Sequence, residues 1–120
     1  MEDKEILTGV LDRWKDAVDA HEPGRVATYF AGDAVFRGLH PYSVGRAGVA
    51  EYYAGQPLGL TAGYSLLETR RLADDLLLGY AHVDFAFPDR PGIPVYLSVL
   101  LRRTGDEWLI THYQVTRIEG

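Results

Sequence analysis

The segment from Leu76 to Pro88 constrains the fold more than any other, because for eight residues its side chains alternate strictly between two kinds. In an extended strand, Tyr80, His82 and Asp84 point to one side and the apolar residues between them point to the other. Aspartate is depleted in strands, and burying it ionised without a partner costs several kcal/mol. This strand is therefore expected to place Asp84 either in water or in a functional site.

Composition and charge exclude several classes of protein. The chain has 120 residues, of which 47% are hydrophobic and 24% charged, as expected for one globular domain. The 12 basic and 17 acidic residues give a formal charge of −5, so no nucleic acid is expected as a partner. The absence of cysteine excludes disulfides and thiolate sites and favours a cytoplasmic protein. No signal peptide or membrane-spanning apolar run is present, so no membrane partner is expected.

The hydrophobic periodicity changes along the chain from helical to extended. Apolar residues recur at every third or fourth position from Glu2 to His21, which predicts an amphipathic helix that ends before Pro23. Shorter helices are predicted over 25–30 and 46–55, a short strand over 33–37 and a loop over 38–45. Long strands are predicted over 64–73, 76–87, 93–103 and 107–118. This order indicates an α+β fold whose helices cover one face of the sheet.

Loop lengths predict which residues face each other across the sheet. Symmetric closure of the 88–92 loop and a three-residue loop at 104–106 produce two polar rows on one face. One row contains His82, Ser98 and His112, the other contains Asp84, Tyr96 and Gln114, and Tyr80, Leu100, Ile110 and Trp108 lie beside them. A two-residue turn at Thr104-Gly105 would instead put Thr111 and Tyr113 in place of His112 and Gln114 on this face.

Two interpretations of the polar rows remain open from these residues. In the first, the opposite, apolar face packs against the helices and the polar rows lie in water, as is common for antiparallel sheets. In the second, the polar rows line a pocket between helices and sheet, and a second subunit covers the apolar face. Tyrosine, histidine and leucine are more typical of a ligand cavity than of a solvated face, which favours the second.

Several strings, taken in order, carry a resemblance to a known family. They are the helix with Trp14, VATYFAGDAVF at 26–36, GRAGV at 45–49, LLRRTGDEWLI at 100–110 and YQVTR at 113–117. Together they resemble the nuclear transport factor 2-like superfamily, which includes ketosteroid isomerase and SnoaL-like polyketide cyclases. The resemblance spans nearly the whole chain and implies one SnoaL-like domain over residues 1–120. Its expected fold is α+β, a cone of three N-terminal helices packed on a strongly curved, mainly antiparallel mixed sheet.

The resemblance also implies where a ligand would bind. In this superfamily the pocket lies between the first helix and the concave sheet, and dimers commonly form through the outer face. The isomerase residues do not carry over to this chain. Trp14 stands at the helix-one tyrosine, Gly38 at the aspartate base, and Ser98 or Leu100 at the protonated aspartate. Steroid isomerisation is therefore not expected.

The leading hypothesis is a homodimeric SnoaL-like enzyme that performs cofactor-free cyclisation or isomerisation of an apolar, polyketide-like substrate. Its acid and base groups would be His82, Asp84 and His112, since a carboxylate beside an imidazole supports proton transfer. Residues expected to contact the substrate are Trp14, Tyr29, Phe36, Tyr53, Tyr80, Tyr96, Ser98 and Gln114. No metal or cofactor is expected, and His40 is expected at the surface or at the mouth of the pocket. The alternative hypothesis is a non-catalytic ligand-binding or dimerisation domain of the same fold.

Overall fold

The helices and strands follow the predicted order, except that a two-residue strand lies at 43–44, within the predicted loop. A computed structural model describes residues 2–119, so residues 1 and 120 of the predicted domain lie outside the described part. The elements are α1 (Asp3–Asp19), α2 (Pro23–Thr28), β1 (Phe30–Arg37), β2 (Ser43–Val44), α3 (Arg46–Ala54), β3 (Thr61–Ala73), β4 (Leu76–Ala86), β5 (Ile93–Thr104) and β6 (Glu107–Arg117). The predicted α+β fold is confirmed. Within residues 2–119, no helix combines the length and apolarity that crossing a membrane requires.

The six strands form one mixed sheet in the order β2-β1-β6-β5-β4-β3. Every neighbouring pair is antiparallel except β1 and β6, which are parallel. Strands β1, β4 and β6 therefore run in the same direction and finish at the same end of the sheet. We call this end, where Arg37, Ala86 and Arg117 lie, the open end of the cone.

Helix α1 packs across the sheet because its apolar stripe is complementary to the strands beneath it. Leu7 lies over Gly79 of β4, where an added Cβ would be 2.6 Å from the Leu7 Cδ2 atom. The glycine thus lets the helix approach the strand closely. Further along the helix, the Trp14 ring meets Phe85 and Tyr113 at centroid distances of 6.3 and 6.1 Å. Trp14 is completely buried.

The apolar face of the sheet is the one that meets the helices. The core contains Ala81, Val83 and Phe85 of β4. On the opposite face of the same strand, Tyr80 is exposed and the Asp84 side chain is 68% exposed. The expectation that the polar rows turn toward the helices is therefore wrong. The physical reason is that only one helical layer is available, and burying the apolar face releases about 25 cal/mol per Å² while burying Asp84 costs free energy.

The predicted register of β4 and β5 is also wrong, by two residues. The observed partners are Tyr80 with Ser98, His82 with Tyr96, and Asp84 with Pro94. A shift of two residues keeps each side chain on its original face. The polar residues therefore still share a face, but with different neighbours.

The turn between β5 and β6 has two residues, Gly105 and Asp106, rather than the predicted three. Gly105 has φ +64°, the left-handed region in which glycine carries no steric penalty. This register alone would move His112 and Gln114 to the helix side of the sheet. An irregularity in the pairing leaves Thr111 as an extra residue, so His112 and Gln114 lie on the same face as Ser98 and Leu100. Ile110 and Trp108 lie before the irregularity, and Ile110 is buried in the core instead of lying beside the polar rows.

Candidate functional site

The predicted catalytic residues lie on the outer face of the sheet, away from the helices, but only two of them are neighbours: His82 is in register with Tyr96 and Thr116, whereas His112 is in register with Leu100 and Leu78, four positions further along the strands. The His82 Nδ1 atom is 3.7 Å from the Asp84 Oδ2 atom. Tyr80 and Tyr96 stack beside them with ring centroids 5.6 Å apart. Ser98, His112 and Gln114 share this face through strand pairing. Among residues 2–119 no three acidic, histidine or cysteine side chains are grouped so that they could hold a metal ion.

Aromatic side chains fill the interior of the cone, where the resemblance implied a ligand pocket. The Trp14 Nε1 atom donates to the Tyr53 hydroxyl at 3.1 Å, and the hydroxyls of Tyr53 and Tyr113 are hydrogen-bonded at 3.2 Å. We call these three residues the aromatic triad. Desolvation by burial raises the pKa of both tyrosines, so the phenols stay neutral. Trp14, Tyr53 and Phe36, predicted to contact substrate, are core side chains at 0, 3 and 2% exposure.

A groove of about 690 Å³ lies at the open end of the cone. We call it the open-end groove. Its apolar and aromatic part comes from the loop after β1, helix α3 and the β4–β5 connection, namely Leu39, Tyr52, Pro57, Phe87, Ile93 and Val115. Its remaining lining residues are Arg37, Gly38, His40, Gly55, Gln56, Arg90, Gln114, Thr116 and Arg117. Of the predicted site residues only Gln114 lines this groove, and His40 lies at it as well.

The wall of the open-end groove depends on the close approach of Gly38 and Tyr52. An added Cβ on Gly38 would lie 2.6 Å from the Tyr52 Cζ atom, so only glycine fits there without displacing the ring. The Leu39 N–H donates to the Tyr52 hydroxyl at 3.2 Å and fixes the loop after β1. Desolvation is the main reason that the pKa of Tyr52 is raised. Gly38 is the position to which the resemblance assigned the aspartate base, and the Tyr52 ring lies against it.

A very small void adjoins the open-end groove on the side of the interior. Its volume is about 10 Å³, and Tyr53 and Leu60 line it together with Leu39, Tyr52 and Phe87 of the groove. This volume is at the lower limit for a single water molecule. The groove is therefore the place where a ligand would come nearest to the aromatic triad.

Three arginines at the open-end groove were missed by the sequence analysis. Arg37 ends β1, Arg90 lies in the β4–β5 connection, and Arg117 ends β6. These positions meet because the three strands run in the same direction. In the sequence, one arginine lies at or just beyond the end of each of these strands. This pattern predicts a shared site only when β1 is known to pair parallel to β6.

A second groove, of about 670 Å³, lies at the opposite end between α1 and the β5–β6 hairpin. Tyr29, predicted to contact substrate, lines this groove rather than the interior, and the Arg13 guanidinium lies 5.9 Å from its ring centroid. The lining mixes Arg13 with the acidic residues Glu5, Asp106 and Glu107. The lining therefore carries more negative than positive charge, and the groove does not reach the aromatic triad.

Comparison with known proteins identifies the fold. No protein-family model and no curated protein matches the sequence. Among solved structures, a domain of unknown function with a cystatin-like fold from Nostoc punctiforme superimposes with TM-score 0.85 at 15% identity, covering 98% of this chain and 78% of that one. A ketosteroid isomerase-like protein from Erwinia carotovora atroseptica gives 0.84 at 17% identity, covering 99% and 98%. A protein of unknown function from Shewanella oneidensis, described as NTF-2 like, gives 0.80 at 12% identity, covering 93% and 97%.

The chain is thus an α+β cone with a mixed sheet covered by helices on one face. Its fold is the nuclear transport factor 2-like fold, so the resemblance found in the sequence is confirmed at the level of structure. At these identities the likeness concerns the fold alone, because one fold supports many functions.

Proposed function

We propose that this protein binds a small organic molecule in the open-end groove and acts as a ligand-binding domain rather than as an acid and base catalyst. The groove carries the proposal, since its volume of about 690 Å³ falls within the range of about 300–1,000 Å³ common for small-molecule sites. Aromatic and aliphatic side chains form one part of its lining, and polar side chains surround them. That combination suits a molecule with one apolar part and one polar part.

The absence of a paired acid and base in the groove favours binding over catalysis. Within the described chain, His40 is the only histidine that lines the groove, and neither aspartate nor glutamate does. General acid and base catalysis needs a positioned group within hydrogen-bond reach of the reacting atom. His82, Asp84 and His112 do not line the groove, so they have no access to a ligand held there.

A matched pair of probes tests the proposal. We expect 2-naphthoate or its neutral analogue 2-naphthamide, at about 1 mM, to shift the backbone amide resonances of groove residues such as Leu39 and Val115 in NMR spectra. Gln56→Trp, at a position that lines both the groove and the small void beside it, places a large ring in the groove and should abolish the shifts. Thr104→Trp, at an exposed threonine at the other end of the sheet, should leave them unchanged. Shifts confined to the outer face, or no shift with either probe, would contradict the proposal.

We also propose that a second copy of the chain covers the outer face of the sheet. Tyr80 and Tyr96 are 36 and 38% exposed, and Val35 on the same face is 37% exposed. Leu100 lies half-buried among them. This face is rich in amphipathic aromatic and aliphatic groups, which are enriched where proteins associate. In a two-fold dimer each copy offers the same patch to the other, so the stacked tyrosines would lie near the centre of the contact.

A further inference from the structure

The open-end groove is positively charged although the chain is acidic overall. The chain has 17 acidic and 12 basic residues. Nevertheless Arg37, Arg90 and Arg117 line this one groove, and within residues 2–119 no aspartate or glutamate does. A segregation of this kind creates a local positive potential against the sign of the net charge.

Two of the three guanidinium groups have no carboxylate partner in the part of the chain that the structure describes. The Arg37 Nη1 atom donates to the backbone carbonyls of Gly38 and His40, the latter at 2.8 Å, and these acceptors are neutral. The bonds orient the guanidinium at the end of β1 without cancelling its charge. Arg117 is exposed and forms no ion pair between residues 2 and 119.

The third arginine joins the charged and the apolar parts of the groove. The Arg90 guanidinium lies 4.5 Å from the Phe87 ring centroid, within the range of a cation–π interaction. Its Nε atom is 3.8 Å from Asp89, so its charge is partly balanced by that neighbour. Beside it, Tyr52 and Ile93 continue the apolar surface.

From this arrangement we propose that the ligand of the open-end groove is an amphipathic organic monoanion. Its carboxylate, or a sulfonate in the same place, is held by Arg37 and Arg117, and its apolar part lies against Tyr52, Phe87 and Ile93. The inference rests on the proposed function, since it names the class of ligand for the same groove. Guanidinium groups present several N–H donors in one plane and so match planar carboxylates.

The helix beside the groove disfavours a second negative charge on that ligand. Helix α3 ends at Ala54, and Gly55 and Gln56, which follow it, line the groove. The carboxyl end of a helix carries a partial negative charge from its last carbonyls. A second negative charge on the ligand would meet this partial charge, so a phosphate dianion gains less from the arginines than a carboxylate does.

Matched probes and matched variants test this inference by calorimetry and NMR titration. We expect 2-naphthoate to bind about tenfold more tightly than 2-naphthamide, and 2-naphthyl phosphate to bind no more tightly than 2-naphthoate. Arg117→Gln should remove most of the preference for the anion. Arg102→Gln, which deletes the same charge from an exposed strand position at the other end of the sheet, should change it by less than about twofold.

The possible outcomes separate this inference from the proposed function. Equal affinity for 2-naphthoate and 2-naphthamide, unaffected by Arg117→Gln, would overturn the inference while the groove remained a binding site. A preference for the phosphate dianion would overturn the restriction to a monoanion. Failure of all three probes to shift any groove resonance would overturn both the proposed function and the inference. Circular dichroism spectra of both variants, compared with the original protein, show that each chain is folded.

Discussion

Substituting Tyr53→Phe tests whether the aromatic triad stabilises the interior of the cone. The Tyr53 hydroxyl accepts the Trp14 N–H at 3.1 Å and is hydrogen-bonded to the Tyr113 hydroxyl at 3.2 Å. All three side chains are at most 3% exposed. Removing this one oxygen leaves the indole N–H without an acceptor and the Tyr113 hydroxyl without its partner, and water does not reach either group.

The magnitude follows from the two groups that lose their partners. Each buried polar group left unpaired costs about 1–3 kcal/mol, and deletion of the Tyr53 hydroxyl removes its own desolvation cost. The net loss in the free energy of unfolding is therefore about 2–4 kcal/mol. At about 0.05–0.15 kcal/mol per residue, a chain of 120 residues has roughly 6–18 kcal/mol in total. The melting temperature should fall by about 10 °C.

Urea denaturation followed by far-UV circular dichroism measures this loss, and the indole N–H resonance of Trp14 reports on the hydrogen bond itself. Tyr113→Phe breaks only one of the two bonds and should cost about half as much. Tyr96→Phe, which removes a hydroxyl from the exposed face, should change stability by less than about 0.5 kcal/mol. If Tyr53→Phe were as stable as Tyr96→Phe, with an unshifted indole resonance, the triad would not contribute to stability.

Three further predictions follow from the same structure. Burial raises the pKa of both triad tyrosines, and below pH 10 their phenols are neutral in the folded and the unfolded chain alike. Above pH 10 these two phenols ionise only in the unfolded chain, so the free energy of unfolding should fall by about 1.4 kcal/mol per pH unit for each of them. A rise in tyrosinate absorbance near pH 10 that accounts for all eight tyrosines, in a chain still folded by circular dichroism, would contradict this. Gly38→Ala forces a Cβ to within 2.6 Å of the Tyr52 ring and should cost about 1–3 kcal/mol in urea denaturation, whereas Gly24→Ala, with open space around its Cβ, should be neutral or stabilising. Tyr80→Asp should shift the protein from dimer to monomer in sedimentation velocity and Leu58→Asp, at an exposed loop leucine, should not; a monomeric original protein would refute the proposed interface.

The helices and strands could be predicted from the sequence because their patterns are local. The apolar stripe between Glu2 and His21 predicted the first helix, and its apolar members from Ile6 to Val18 are all buried. Alternation along 76–87 likewise predicted β4 and the membership of each of its faces. Side-chain direction repeats with a fixed period in each element, so such grouping needs no knowledge of the rest of the chain.

The two faces of the sheet compete for burial against the helices, and the outcome of that competition decides where the polar face lies. The interpretation that placed His82 and Asp84 inside rested on the kinds of residues present, while the apolar reverse face had more to gain from the helices. The register also depended on a two-residue turn and on the irregularity at Thr111 that compensates for it. Gly105 indicates the turn in the sequence, but no residue pattern indicates the irregularity at Thr111.

By itself the sequence determined the order of the main helices and strands, the residues that share each face of β4, and the α+β arrangement that places this chain in the nuclear transport factor 2-like fold. Only the tertiary structure decided that the polar face lies outside, that aromatic side chains fill the cone, and that three arginines surround one groove. The reason is that periodicity is a property of a few consecutive residues. The meeting of Arg37, Arg90 and Arg117 depends instead on the parallel pairing of β1 with β6, two strands separated by most of the chain.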